Sequence, residues 1–202
     1  LVKTFFTDPH NPEELGSSPY RPVACLSFAL NWYFGQDNVF GYHVVNIAIH
    51  ILTAFVLFLF CRDLFKTPKV RSDFRRSPVY IAFFASILWA VNPVQTQAVT
   101  YIVQRMAQLA ALFYLLGMFA YLKGRLNDSF IQSIFYFAAC TVFYFLGIFS
   151  KANAAMMPVA FVLMEVAFFQ NLADRQTRKK VFLFAGLACG LFFLLGVVFF
   201  LN

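Results

Sequence analysis

Acidic residues are scarce in this chain: nine Asp and Glu stand among 202 residues, beside sixteen Lys and Arg. Charged residues together make up 12%, where a soluble domain carries about 25%. That shortage excludes a soluble globular enzyme, a disordered tail and a coiled coil. Cysteine is sparse and unpatterned. Cys25, Cys61, Cys140 and Cys189 form no CxxC pair, and three of them lie in or beside apolar runs, so they read as small buried hydrophobes. A basic segment followed by an apolar core is missing from the start, which excludes an intact signal peptide. Leu1 stands where an initiator Met would be, and the expectation is a processed product or a fragment.

Apolar residues fill the gap. They make up 61% of the chain, aromatics 20%, and there are 29 Phe. This is the composition of an all-α, polytopic integral membrane protein. A helix needs roughly 20 apolar residues to cross a bilayer. Six runs qualify as transmembrane helices, at about 40–60, 78–91, 106–122, 130–149, 154–169 and 181–201. The second is short for a full crossing. Residues 1–39 then form a loop on one face, in which Arg21–Phe34, apolar with scattered polar residues, reads as a helix lying at the interface.

The net charge of +7 does not point to nucleic acid, because the basic residues cluster between the apolar runs. Arg62, Lys66, Lys69, Arg71, Arg75 and Arg76 separate the first and second runs. Lys123 and Arg125 separate the third and fourth, and Arg175, Arg178, Lys179 and Lys180 the fifth and sixth. Lys3, Arg21, Arg105 and Lys151 are left for the other side. The positive-inside rule places the basic loops in the cytoplasm and both chain ends on the outer or luminal side. The basic loop at 62–77 also suits anionic lipid, though topology alone accounts for it.

Three polar constellations remain, all near the outer ends of the runs. His43, Asn46 and His50 are spaced i, i+3, i+7 and share one face of a helix. Such a face points inward, to other helices or to a wet cavity. Asn is a poor companion for two His ligands and no carboxylate is near in sequence, so no metal is expected. Next, Pro93 breaks a helix, and Tyr101, Gln104, Arg105 and Gln108 follow at the spacing of a second helical face. Arg105 reads either as a headgroup-level anchor or as a phosphate clamp, and its amide companions favour the clamp. Third, Ser150-Lys151-Ala152-Asn153 is a tight turn that adds a second cation on the same side. Glu165 lies within the fifth run and is expected to snorkel or to pair with a base.

The stretches Tyr20-Arg21-Pro22, Leu26-Ser27-Phe28, Leu30-Asn31 and Gly41-Tyr42-His43-Val44-Val45-Asn46 with His50 resemble the tetratricopeptide-repeat transmembrane O-mannosyltransferases and their bacterial relatives. So do Asn92-Pro93-Val94-Gln95, Ala98-Val99, Val103-Gln104-Arg105 with Leu109, and Ser150-Lys151-Ala152-Asn153-Ala154 with Pro158. The resemblance runs from about Tyr20 to Glu165 and rests on the order and spacing of the motifs. It implies a GT-C-like fold and transfer of a sugar from a polyprenyl-phosphate donor to a protein hydroxyl on the outer or luminal side. No cofactor is implied beyond that donor. The resemblance gives Arg105 and Lys151 the donor phosphate, and Arg21, His43, Asn46, His50 and Gln104 the cavity wall. The family's base is an acid in the first outer loop, commonly in an Asp-Asp pair, which this sequence does not contain. Asp8, Glu13 and Glu14 are the acids on the correct side, in no family motif. Ala152 also stands where the family often has Glu.

Two functions follow. The first is the membrane core of a polyprenyl-phosphate-sugar-dependent protein glycosyltransferase, in the bacterial inner membrane or the endoplasmic reticulum. Its partners are membrane lipid, the lipid-linked sugar and an acceptor protein. The alternative is a divergent non-catalytic subunit that scaffolds a larger membrane complex. A transporter fits less well, since transport sites lie near the bilayer midplane.

Overall fold

A computed structural model of the chain describes residues 21–36, 38–70 and 77–170. Asp8, Glu13, Glu14 and the expected span at 181–201 lie outside the described residues. Every element among the described residues is helical: α1 (Pro22–Gly35), α2 (Val39–Leu64), α3 (Pro78–Ala90), α4 (Gln95–Thr100), α5 (Arg105–Leu126), α6 (Phe130–Ile148) and α7 (Met157–Met164). A 3-10 turn (Ile102–Gln104) precedes α5, another (Ala152–Met156) precedes α7, and a π turn (Glu165–Phe169) follows it.

Four of these segments are long and apolar enough to cross a membrane: Val39–Leu64, Ile102–Leu126, Phe130–Ile148 and Ala152–Phe169. The fourth is a composite of 3-10, α and π geometry. The count of six is therefore not met among the described residues. The run at 78–91 forms α3, whose 13 residues reach only about 20 Å at 1.5 Å per residue, against a hydrocarbon core of about 30 Å. Pro78 starts it at the first helical positions, where a missing N–H costs nothing, and Asn92-Pro93 ends it.

Local chemistry sets the other boundaries. Asn38 caps α2, its side chain accepting from the Phe40 amide at 3.1 Å. Asn127 closes the α5–α6 connection by accepting from the Ser129 amide at 3.0 Å. That turn sends α6 back along α5.

α5 is the central helix. In its most apolar stretch 44% of residues are buried, against 17% in α2 and 11% in α6. It touches α1, α2, α6 and α7. Small residues set how closely they approach. A Cβ on Gly117 of α5 would lie 2.7 Å from the Met157 sulfur, and one on Gly147 of α6 would lie 2.9 Å from the Ala154 Cβ. The outward faces of α3 and α6 are left exposed and aromatic, with Tyr80, Phe84, Phe130 and Phe135 each at least 61% exposed. Such faces suit lipid. The two buried charged residues among those described, Arg105 and Asp63, sit at opposite ends.

Candidate functional site

Arg105 opens α5 with no exposed surface. Its Nε donates to Asn46 Oδ1 at 2.8 Å, Nη2 to the Tyr42 carbonyl at 2.9 Å and Nη1 to the Ser27 carbonyl at 3.2 Å. The guanidinium also sits over the rings of Phe28, at 4.7 Å, and Tyr42, at 5.4 Å. Burial of an always-charged group is tolerated because every nitrogen has an acceptor and two ring faces supply partial negative charge. The side chain thus joins α1, α2 and α5. A phosphate reaching Arg105 would first have to displace these partners.

Asn46 passes the connection onward. Its Nδ2 lies 3.3 Å from the Val99 carbonyl and 3.4 Å from that of Tyr101. These carbonyls are released where the helix breaks at Tyr101, whose backbone is extended (φ −82°, ψ 117°). The break also corrects the expected continuous face of Tyr101, Gln104, Arg105 and Gln108. Tyr101 and Gln104 are exposed, whereas Arg105 and Gln108 are buried. A change of helical phase at 101–104 divides them.

His50, one turn deeper on α2, bonds the Ala90 carbonyl through Nε2 at 3.0 Å. A carbonyl only accepts, so Nε2 carries the hydrogen. Ala90 ends α3, and its carbonyl would otherwise be an orphan of the helix terminus. The same imidazole stacks on Trp89, with ring centres 5.2 Å apart. His43 is half-buried two turns before His50 on α2. Arg21 is half-buried too, with Nη1 3.1 Å from the Met106 sulfur.

Behind Trp89, between α2, α3, α5 and the turn after α6, lies a cavity of about 400 Å³. Its wall is mostly apolar, with Leu57, Trp89, Ala107, Ala110, Tyr114 and Leu115 among the lining residues. The Ala residues of α5 leave the hollow and the rings frame it. At one edge the wall becomes polar, with Lys151 and Asn153. Lys151 is held there by its turn. Its amide and that of Ser150 both donate to the Gly147 carbonyl at 3.0 Å, and its own carbonyl accepts from Ala154 at 3.1 Å.

The cavity thus includes one of the two expected phosphate ligands, Lys151. Arg21, His43, Asn46, His50 and Gln104 do not line it. His50 instead lies behind the wall, against Trp89. Trp89 and Tyr114 were not singled out in the sequence. An aromatic within an apolar run carries no signal of its own, and only the three-dimensional arrangement sets them beside a cation. At the other end, Glu165 does pair with a base: Arg125 grips it through two nitrogens at 3.0 and 2.7 Å, with Tyr121 donating at 2.8 Å. Among the described residues no group of three or more His, Cys, Asp or Glu is placed to hold a metal ion.

No family model matches the chain, and no solved structure does. Curated relatives do. A protein O-mannosyl-transferase of Caenorhabditis elegans is 37% identical over 113 residues, covering 55% of this chain and 15% of that protein. Protein O-mannosyl-transferase TMTC1 of Mus musculus is 37% identical over 106 residues, covering 52% of this chain and 10% of the relative. Protein O-mannosyl-transferase TMTC3 of Homo sapiens is 32% identical over 117 residues, covering 58% and 12%. The chain therefore matches only about a tenth to a seventh of the length of these relatives. The resemblance read from the motifs holds: this is a helical membrane chain similar to the transmembrane O-mannosyltransferases over about half its length.

Proposed function

We propose that this chain forms part of the membrane domain of a protein glycosyltransferase. The donor is a polyprenyl-phosphate sugar, mannose by analogy with the names of the relatives, and the acceptor is a protein Ser or Thr hydroxyl. The reaction takes place at the Arg105 end, on the luminal or periplasmic side. The observation that carries this reading is a half-buried ammonium, Lys151, beside Asn153 at the edge of a mostly apolar cavity of about 400 Å³. That pairing of surfaces suits a ligand with one anionic group on a hydrocarbon chain.

In the transfer, the acceptor oxygen bonds to the anomeric carbon as the carbon–oxygen bond to the donor phosphate breaks. The departing group gains negative charge, and Lys151 is the cation positioned to stabilise it. The hydroxyl proton passes to a carboxylate base. The family places that base in an acidic outer loop, and Asp8, Glu13 and Glu14 are the weak candidates this sequence offers. Arg105 acts as a positioning residue: through Ser27, Tyr42 and Asn46 it holds the ends of α1, α2 and α5 against one another beside the cavity.

The test uses the full-length protein in detergent with polyprenyl-phosphate mannose and an acceptor protein. Lys151→Ala is expected to lower the rate of transfer by about 10²-fold or more, the scale for removing a fixed stabiliser of developing charge. Lys151→Arg should recover part of it. Transfer undiminished in Lys151→Ala would remove Lys151 from the reaction. A wild-type protein that neither binds nor consumes the donor would leave the scaffold function instead.

A further inference from the structure

The end of the molecule opposite Arg105 holds a second built arrangement that the transfer reaction does not use. Asp63, near the last turn of α2, has no exposed surface. Its two carboxylate oxygens receive three cations: Arg62 at 3.1 Å, Lys66 at 2.8 Å and Lys123 of α5 at 2.7 Å. A helix staple between α2 and α5 needs only Lys123. The other two cations leave the cluster with surplus positive charge. Asp63 lies beneath and the cations lie above it, with side chains 32%, 60% and 30% exposed for Arg62, Lys66 and Lys123. Each lysine ammonium has three N–H donors, of which Asp63 takes one. The remaining donors share one small patch of surface, held in register by the buried carboxylate.

The surroundings indicate what meets this patch. Below it lies an apolar cluster of Met118, Leu122 and Met164, flanked by Phe60, Leu64 and Tyr121. The cations therefore sit at the ends of two membrane-crossing helices, at the level where lipid phosphates lie. Arg125 is neutralised by Glu165. Lys69 is exposed, and its ammonium donates to the Val166 carbonyl at 2.8 Å rather than to Asp63.

We propose that Arg62, Lys66 and Lys123, aligned by Asp63, form a binding site for the headgroup phosphate of an anionic phospholipid. The site is separate from the Lys151 cavity, at the other end of α2 and α5. It retains one or a few lipids rather than attracting a membrane surface diffusely.

The experiment compares two exposed lysines on one loop. Full-length protein is titrated in detergent with phosphatidylglycerol or phosphatidylcholine, and retained lipid is counted by native mass spectrometry. Saturable retention of phosphatidylglycerol over phosphatidylcholine is expected. Lys66→Gln should weaken it roughly fivefold, the share of one basic residue near an anionic lipid, and Arg62→Gln/Lys66→Gln further. Lys69→Gln, which removes the same charge outside the cluster, should change it little. Lys66→Gln leaves the Arg62 and Lys123 contacts to Asp63 in place, so lipid loss in that variant at a melting temperature near that of the wild type reads the site and not the fold. Equal losses in Lys66→Gln and Lys69→Gln would show diffuse attraction and overturn the site, as would equal retention of the two lipids. Displacement of the lipid by an equal concentration of free inorganic phosphate would overturn its assignment to a lipid.

Discussion

Arg105 shows how one side chain can organise a membrane protein's interior. Its three bonded acceptors belong to two other helices: the Asn46 side chain and the backbone carbonyls of Tyr42 and Ser27. Removing it takes from Asn46 Oδ1 its charged donor and forfeits the bonds to the two carbonyls, and hydrogen bonds to a charged group contribute about 1.5–3 kcal/mol each. Arg105→Ala is expected to destabilise the protein by about 3 kcal/mol or more, read as a fall in the midpoint of thermal unfolding in detergent. Arg105→Lys keeps the charge but offers a point donor in place of a planar fork, so it should recover only a part. A variant Arg105→Ala that melts like the wild type would refute the organising role. Arg105 and Asn46 were legible in the sequence because each is a polar residue where lipid would make it costly. Their pairing was not. It depends on the helix breaking at Tyr101, and the regular spacing of Tyr101, Gln104 and Arg105 concealed that break.

At the scale of elements, Gly147 decides where Lys151 sits. The α6 backbone approaches the following turn so closely that a Cβ on Gly147 would meet the Ala154 Cβ at 2.9 Å. Neither atom is the end of a flexible chain, so the turn itself has to move. Gly147→Ala should cost about 1–3 kcal/mol, the usual penalty of overpacking, and should weaken donor binding as Lys151 shifts from the cavity edge. Gly35, at the end of α1, provides the control. Nothing lies within 4 Å of its added Cβ, so Gly35→Ala is expected to leave both melting temperature and donor affinity unchanged. A Gly147→Ala protein with wild-type stability and affinity would show that the turn adapts freely. The long helices were legible at this scale, since α2, α5 and α6 follow the apolar runs, with Asn38 before α2 and Asn127 between α5 and α6. The composite of 3-10, α and π geometry at 152–169 was not. Composition marks that stretch only as apolar, while its contacts with Gly117, Gly147 and Arg125 are made across the fold.

The molecule is polarised along α2 and α5, which run in the same direction: the start of α5 meets the first half of α2 through Arg105 with Tyr42 and Asn46, and their last turns meet through Asp63 and Lys123. The charge asymmetry between loops, read from sequence, therefore becomes a physical difference between two ends. One end has the buried Arg105 with the half-buried Arg21 and Lys151; the other has Arg62, Lys66, Lys69, Lys123 and Arg125 together. On the positive-inside rule the second end is expected in the cytoplasm. Single cysteines placed at Asn127 and at Asn153, in a variant lacking the four native ones, test this in intact membrane vesicles. Both positions flank α6, which separates them by 19 residues of helix, about 28 Å at 1.5 Å per residue and so close to the thickness of the hydrocarbon core. A membrane-impermeant maleimide added outside cytoplasm-out vesicles should label the cysteine at 127 and reach the one at 153 only after the membrane is opened. The reverse pattern would invert the orientation and place the Lys151 cavity on the cytoplasmic face, where the proposed transfer to luminal or periplasmic hydroxyls could not take place. Labelling of both without opening would mean that α6 does not cross, and the cavity would then have to be read as an interfacial groove.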